Sequence, residues 1–99
     1  MGQYIVKAFK RDRETPLENA MVYHNADECN YNCDNRCDYN RLVNPKRTEK
    51  DGTVVFSWPE TNMNHYFTGT HQNQEGAVVA KGEKPFGGGY LVSLVFNIA

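Results

Sequence analysis

A chain of 99 residues with 11 Lys and Arg against 12 Asp and Glu has room for one modest hydrophobic core. It carries no charge excess that would demand a nucleic acid as partner. No apolar run reaches the ~20 residues of a membrane-spanning helix, and the start of the chain does not read as a signal peptide. The expectation is therefore a soluble chain without membrane insertion, cytoplasmic as encoded unless an assembly carries it out.

In chain order, residues 4–10 (YIVKAFK) are β-branched and aromatic and predict a strand. The polar RDRETP follows as a turn closed by Pro16. A second strand is expected over residues 20–24, with Ala20, Val22 and His24 facing one way and Met21 and Tyr23 the other. Residues 25–44 change character, becoming dense in Asn, Asp, Cys and Tyr. Such residues favour turns and helix caps, so the segment reads as an insertion, a short helix or an ordered loop, ended by Pro45. The KDG of residues 50–52 is a turn signal that launches TVVFSW, residues 53–58, as a half-buried strand. Residues 64–71 (NHYFTGTH) predict a weaker strand and residues 76–80 a short one. Residues 81–89 (KGEKPFGGG) read as a loop. Residues 90–98 (YLVSLVFNI) are apolar enough on both faces to predict a strand near the middle of a sheet. Six or seven short strands separated by turn signals, with no long 3.6-residue period, predict a single all-β sandwich. Its core is expected to include Val6, Ala20, Val22, Val54, Phe56, Trp58, Phe67, Val92, Leu94 and Phe96.

Two groups of residues carry a family likeness. Pro16, Leu17, Ala20 and Val22 come first, then Thr48, Asp51, Gly52, Val54, Phe56 and Pro59. Together they resemble the transthyretin-like β-sandwiches: the carboxypeptidase regulatory-like domains and the B-type repeats of adhesins. The resemblance covers about half the chain and implies a noncatalytic module for adhesion, presentation or anchoring. Some such repeats carry a Lys–Asn isopeptide bond promoted by a buried acid. The positions implied here are Lys7 and Asn97. Residues 68–71 hold no acid where the family has one, so an ordinary exposed Lys and Asn are expected.

The cysteines pose the sharpest chemical question. Cys29, Cys33 and Cys37 sit four apart, and three is an odd number, which fits reduced thiols, a metal, or one bridge plus a free thiol. On one helix the outer two would lie roughly 12 Å apart along the axis. Two thiolates of one zinc site are only about 4 Å apart, so a helix offers the metal two of them and not three. In a loop, Cys29, Cys33 and Cys37 with His24 form a candidate structural Cys₃His zinc site. Otherwise the cysteines serve as small buried hydrophobes, or as one disulfide beside a free thiol. His65 and His71 are expected at the surface or at strand ends, about 20 Å apart at 3.3 Å per residue. A thiol with one of the three histidines as base is a conceivable small thiol enzyme. No motif supplies an oxyanion hole or an orienting third group.

The locally basic stretches KAFKRDR and NPKRTEK are interrupted by acids and read as solvated turns, so no nucleic-acid partner is expected. The leading expectation is a noncatalytic module that binds a protein partner or serves structural assembly. The 25–44 insertion would be its recognition surface, and Tyr31, Arg36 and Tyr39 its contacts. The alternatives are a zinc-binding protein and a thiol enzyme. A short chain with an idiosyncratic insertion would also suit a viral inhibitor of a host protein.

Overall fold

The computed structural model describes residues 2–27, 45–58, 64–74, 76–84 and 90–99. Among these the strands are β1 (Gly2–Phe9), β2 (Met21–Asp27), β3 (Lys46–Arg47), β4 (Thr53–Trp58), β5 (Asn64–Asn73), β6 (Gly76–Lys84) and β7 (Leu91–Val95). They form two sheets, β4-β1-β7 and β3-β2-β5-β6. Strand β1 runs antiparallel to β4 and parallel to β7, and every pairing in the larger sheet is antiparallel. The fold is all-β and sandwich-like, with no helix among the described residues.

The inner layer follows from alternation. Tyr4, Val6 and Ala8 of β1 are fully buried. Tyr4 pairs with Phe56 across β4, and Val6 and Ala8 pair with Val92 and Leu94 across β7. The other sheet contributes Val22, Phe67 and Ala80, and Phe96 fills the space between the sheets. Burying each of the larger side chains stabilises the fold by about 1.5–3 kcal/mol. Two glycines let the layers close. A Cβ at Gly69 would lie 2.6 Å from the Phe96 ring, and one at Gly82 would lie 2.9 Å from both Leu94 and Val92.

Six of the residues that carry the likeness, Pro16, Leu17, Ala20, Thr48, Asp51 and Gly52, meet at one place. The Thr48 hydroxyl donates to the Leu17 carbonyl at 2.8 Å and accepts from the Ala20 amide at 2.9 Å. Backbone bonds join Thr48 N–H to the Ala20 carbonyl and Asn19 N–H to the Thr48 carbonyl. Asp51 accepts from the amide and the hydroxyl of Thr53, which fixes the turn into β4. Gly52 takes φ +78° there, and a Cβ on it would stand 2.7 Å from the Ala8 carbonyl oxygen and 3.0 Å from Pro16. These positions are thus a staple between the 16–20 segment and the β3–β4 turn, which is a folding role.

Several expectations need correction. The second strand extends past His24 to Asp27, so Asn25 belongs to β2 and not to an insertion. Strand β6 continues through Lys84, so residues 81–84 are ladder and not loop; β5 supplies a partner for each, down to His65 opposite Lys84. Among the described residues strand β7 pairs with β1 alone, so it is an edge strand and not a middle strand. Its outward face meets solvent, where Leu91 is 66% exposed. The middle strand of that sheet is β1; in the larger sheet β5 is interior, and Tyr66 and Thr68 are buried there as well as His65 and Phe67. Val54 is only partly buried; its strand β4 lies at the edge of the three-stranded sheet opposite β7.

The two-residue β3 was not foreseen. It lies beside the start of β2, and Lys46 then reaches across to β4. There its ammonium donates to the Val55 carbonyl at 2.8 Å and sits 5.2 Å from the Phe56 ring centroid. Val55 faces Ile5, whose amide bonds β7 through the Tyr90 carbonyl, so the Val55 carbonyl points out of the ladder. Lys46 thereby caps an edge group that another strand would otherwise find.

Candidate functional site

His24 and His65 come from adjacent strands. The register sets His24 opposite Phe67 and Ala26 opposite His65, so the two histidines are diagonal neighbours on the inner face. Their exposures are 1% and 0%. His24 Nε2 and His65 Nδ1 are 2.8 Å apart, so one nitrogen donates and the other accepts. The rings stack with centroids 5.1 Å apart at 14°. Phe56 and Phe67 pack on His24, and Tyr4 packs on His65 with centroids 4.2 Å apart.

This enclosure sets the electrostatics. Burial, and secondarily the charge of His65, pushes the His24 pKa down from its ordinary 6.5 to about 4. Burial and the nearby Tyr90 also raise the Tyr4 hydroxyl above its ordinary value. His24 is thus neutral at pH 7 and hydrogen-bonded to His65. The two rings present no open face to a substrate, and their chemistry is that of a polar pair inside a core.

His65 lies at the start of β5, a strand end as expected, but it is buried and not at the surface. The signal was present in the parity of the strand, because His65 shares its face with Phe67. His71 is half-buried, on the same strand.

Of the candidate Cys₃His set, His24 lies among the described residues; Cys29, Cys33 and Cys37 lie outside them, as do Tyr31, Arg36 and Tyr39. Among the described residues no three His, Cys, Asp or Glu side chains are grouped to hold a metal. The isopeptide positions are separately engaged. Asn97 Oδ1 accepts from Arg11 Nε at 2.8 Å, and Lys7 Nζ lies 5.3 Å from the Phe9 ring centroid.

A second feature lies on the outer face of the three-stranded sheet. Leu91, Ile5 and Val55 stand side by side in register, at 66%, 43% and 42% exposure. A solvated sheet face normally alternates to polar residues, so this apolar row is unusual.

No family model, curated protein or solved structure matches the chain.

Proposed function

We propose that the chain is a noncatalytic module that binds a protein partner or serves structural assembly, with recognition by the segment that joins β2 to β3. The observation that carries this reading is the burial of His24 and His65. Two of the three histidines that a thiol enzyme would need as base are sealed against Tyr4, Phe56 and Phe67. The recognition segment springs from the end of β2 and returns as β3, paired with Met21 and Val22 of the same β2. A loop carried on a hydrogen-bonded sheet is a common site of recognition, and Tyr31, Arg36 and Tyr39 are residue types that anchor interfaces.

The test replaces residues 28–44 with a short Gly/Ser linker. A partner captured by the parent chain is purified and titrated against both proteins. The linker variant should keep its unfolding transition and lose affinity at least tenfold. Tyr31→Ala, Arg36→Ala and Tyr39→Ala should each cost about 1 kcal/mol or more. Undiminished binding by the linker variant would move recognition elsewhere, first to the Leu91–Ile5–Val55 row. A native mass raised by one zinc ion would favour the Cys₃His alternative with His24, Cys29, Cys33 and Cys37. One thiol alkylated far faster than the other two would favour the thiol enzyme.

A further inference from the structure

Among the described residues, strand β4 pairs with β1 on one side and with no strand on the other. The phase of that ladder is fixed. Ala8 N–H bonds the Gly52 carbonyl, whereas Ile5 N–H turns the other way, to the Tyr90 carbonyl. Tyr4 and Phe56 therefore form a bonded pair. Val55, opposite Ile5, and Ser57, opposite Gln3, aim their amides and carbonyls away from the sheet. Lys46 Nζ takes the Val55 carbonyl at 2.8 Å. The Val55 amide and both backbone groups of Ser57 have no hydrogen-bond partner among the described residues. At Thr53 the chain itself closes the edge, because Glu49 N–H donates to the Thr53 carbonyl and the Thr53 amide donates to Asp51. The edge of β7 is also approached, since a Cβ on Gly82 of β6 would lie 3.2 Å from the Ser93 carbonyl oxygen. The open stretch is thus Val55 to Ser57 of β4, where both of these side chains are exposed.

Two features of this edge select what fits it. On the outer face, the apolar row of Leu91, Ile5 and Val55 runs up to the edge and stops there. An added strand would continue the row with a side chain beside Val55. On the inner side, the Lys46 ammonium lies 5.2 Å from the Phe56 ring centroid and bonds a neutral carbonyl, not a carboxylate. A lysine at a sheet edge works against indiscriminate pairing. It opposes a second copy most, because a two-fold axis joining β4 to β4 would bring both ammoniums to one seam. Toward a strand that carries a carboxylate at that point it is attractive.

We propose that Val55 to Ser57 is a strand-addition site for an extended segment of a protein partner, with an acidic residue facing Lys46 and an apolar neighbour facing out beside Val55. The partner's N–H donates to the Val55 carbonyl in place of Lys46, and the freed ammonium pairs with the partner's carboxylate. Main-chain bonds then supply the affinity, and the two side chains supply the selectivity. The site is built from β3 and β4 and uses none of residues 28–44, so it stands apart from the segment proposed above for recognition.

The test titrates the full chain with the end-capped synthetic peptide Thr-Val-Glu-Val-Thr, followed by nitrogen–proton NMR. Saturable shifts at the Val55 and Ser57 amides are expected. The same peptide with Lys in place of Glu should bind about threefold more weakly or worse. In Lys46→Gln that preference should vanish. A strand pairs through amides of one parity, so N-methylation of the two Val amides and N-methylation of the Glu amide should differ, with one abolishing saturation and the other sparing it. These changes lie in the probe and leave the fold untouched. Shifts without saturation, saturable shifts confined to other strands, or equal binding of the two methylated peptides would overturn the site.

Discussion

His24 Nε2 and His65 Nδ1 share one hydrogen bond of 2.8 Å in a layer otherwise made of apolar and aromatic side chains. That bond holds one proton between two rings that water does not reach. Protonating either ring would place a charge where water does not reach it, beside a stacked ring 5.1 Å away. The pair thus makes the fold sensitive to acid.

The pH dependence follows in sign and range. The folded His24 pKa, about 4, lies below the ordinary 6.5 of an unfolded chain. On acidification the unfolded state takes up a proton that the folded state resists. The stabilisation is complete above pH 6.5 and is lost as pH falls toward 4. At ~1.36 kcal/mol per pH unit the loss is about 3 kcal/mol over that window. Asp12 is held down to about 2 by its bonds with Thr15 and Glu14, so its own contribution fades only below the ordinary 3.8. Urea midpoints should therefore be lower at pH 5.5 than at 7.5, and lower again at 4.5, where glutamates with an ordinary pKa of about 4.3 begin to add their own share. A midpoint constant to pH 4.5 would rule out a buried neutral pair.

Mutating the pair should be non-additive. His24→Leu or His65→Leu alone leaves a buried nitrogen without its partner, at a cost of about 1–3 kcal/mol plus repacking. The double replacement removes both polar groups and should cost less than the sum of the two singles. A double-mutant cycle read by chemical denaturation checks this, and strict additivity would mean that the 2.8 Å bond contributes nothing.

Thr48 should be sensitive to the hydroxyl rather than to shape. Thr48→Val keeps the volume but leaves the Ala20 amide and the Leu17 carbonyl without the Oγ1 contact. A loss of about 2–4 kcal/mol is expected from the two groups together, and Thr48→Ser should recover most of it. Equal stability of the Val and Ser variants in thermal unfolding would refute the staple.

The glycines should rank by what surrounds them. Gly52→Ala combines a positive φ with a clash against the Ala8 backbone oxygen, so it should be the most damaging, beyond about 2 kcal/mol. Gly69→Ala meets side-chain atoms of Phe96 and Leu94, for about 1–3 kcal/mol. Shortening Phe96 to Leu in the Gly69→Ala background should return part of that loss. Denaturant midpoints of these three variants test the order, and a Gly52→Ala protein more stable than Gly69→Ala would contradict it.

Much of the architecture was written in local pattern. Residues 53–58 alternate cleanly and form β4 over those residues, because alternation and a Lys-Asp-Gly turn act within a few residues. The two-sheet, all-β class followed from the same signals. Trp58, in the predicted core, has a side chain outside the described residues. Strand order was hidden. Residues 91–95 read as central from their apolarity, yet the neighbour of β7 is decided by a partner more than eighty residues earlier, Ile5–Phe9. The polar β5 is interior in the larger sheet, where β2 and β6 cover both of its edges.

By itself the sequence determined the strand-forming stretches, their inward parity and the turns, since these depend on side-chain period and backbone preference. Only the tertiary structure decided which parity positions meet. It set His24 beside His65, and it aligned Leu91, Ile5 and Val55 on an outer face. Those meetings join residues far apart in the chain through strand register, and no local signal encodes register between strands not yet known to be neighbours.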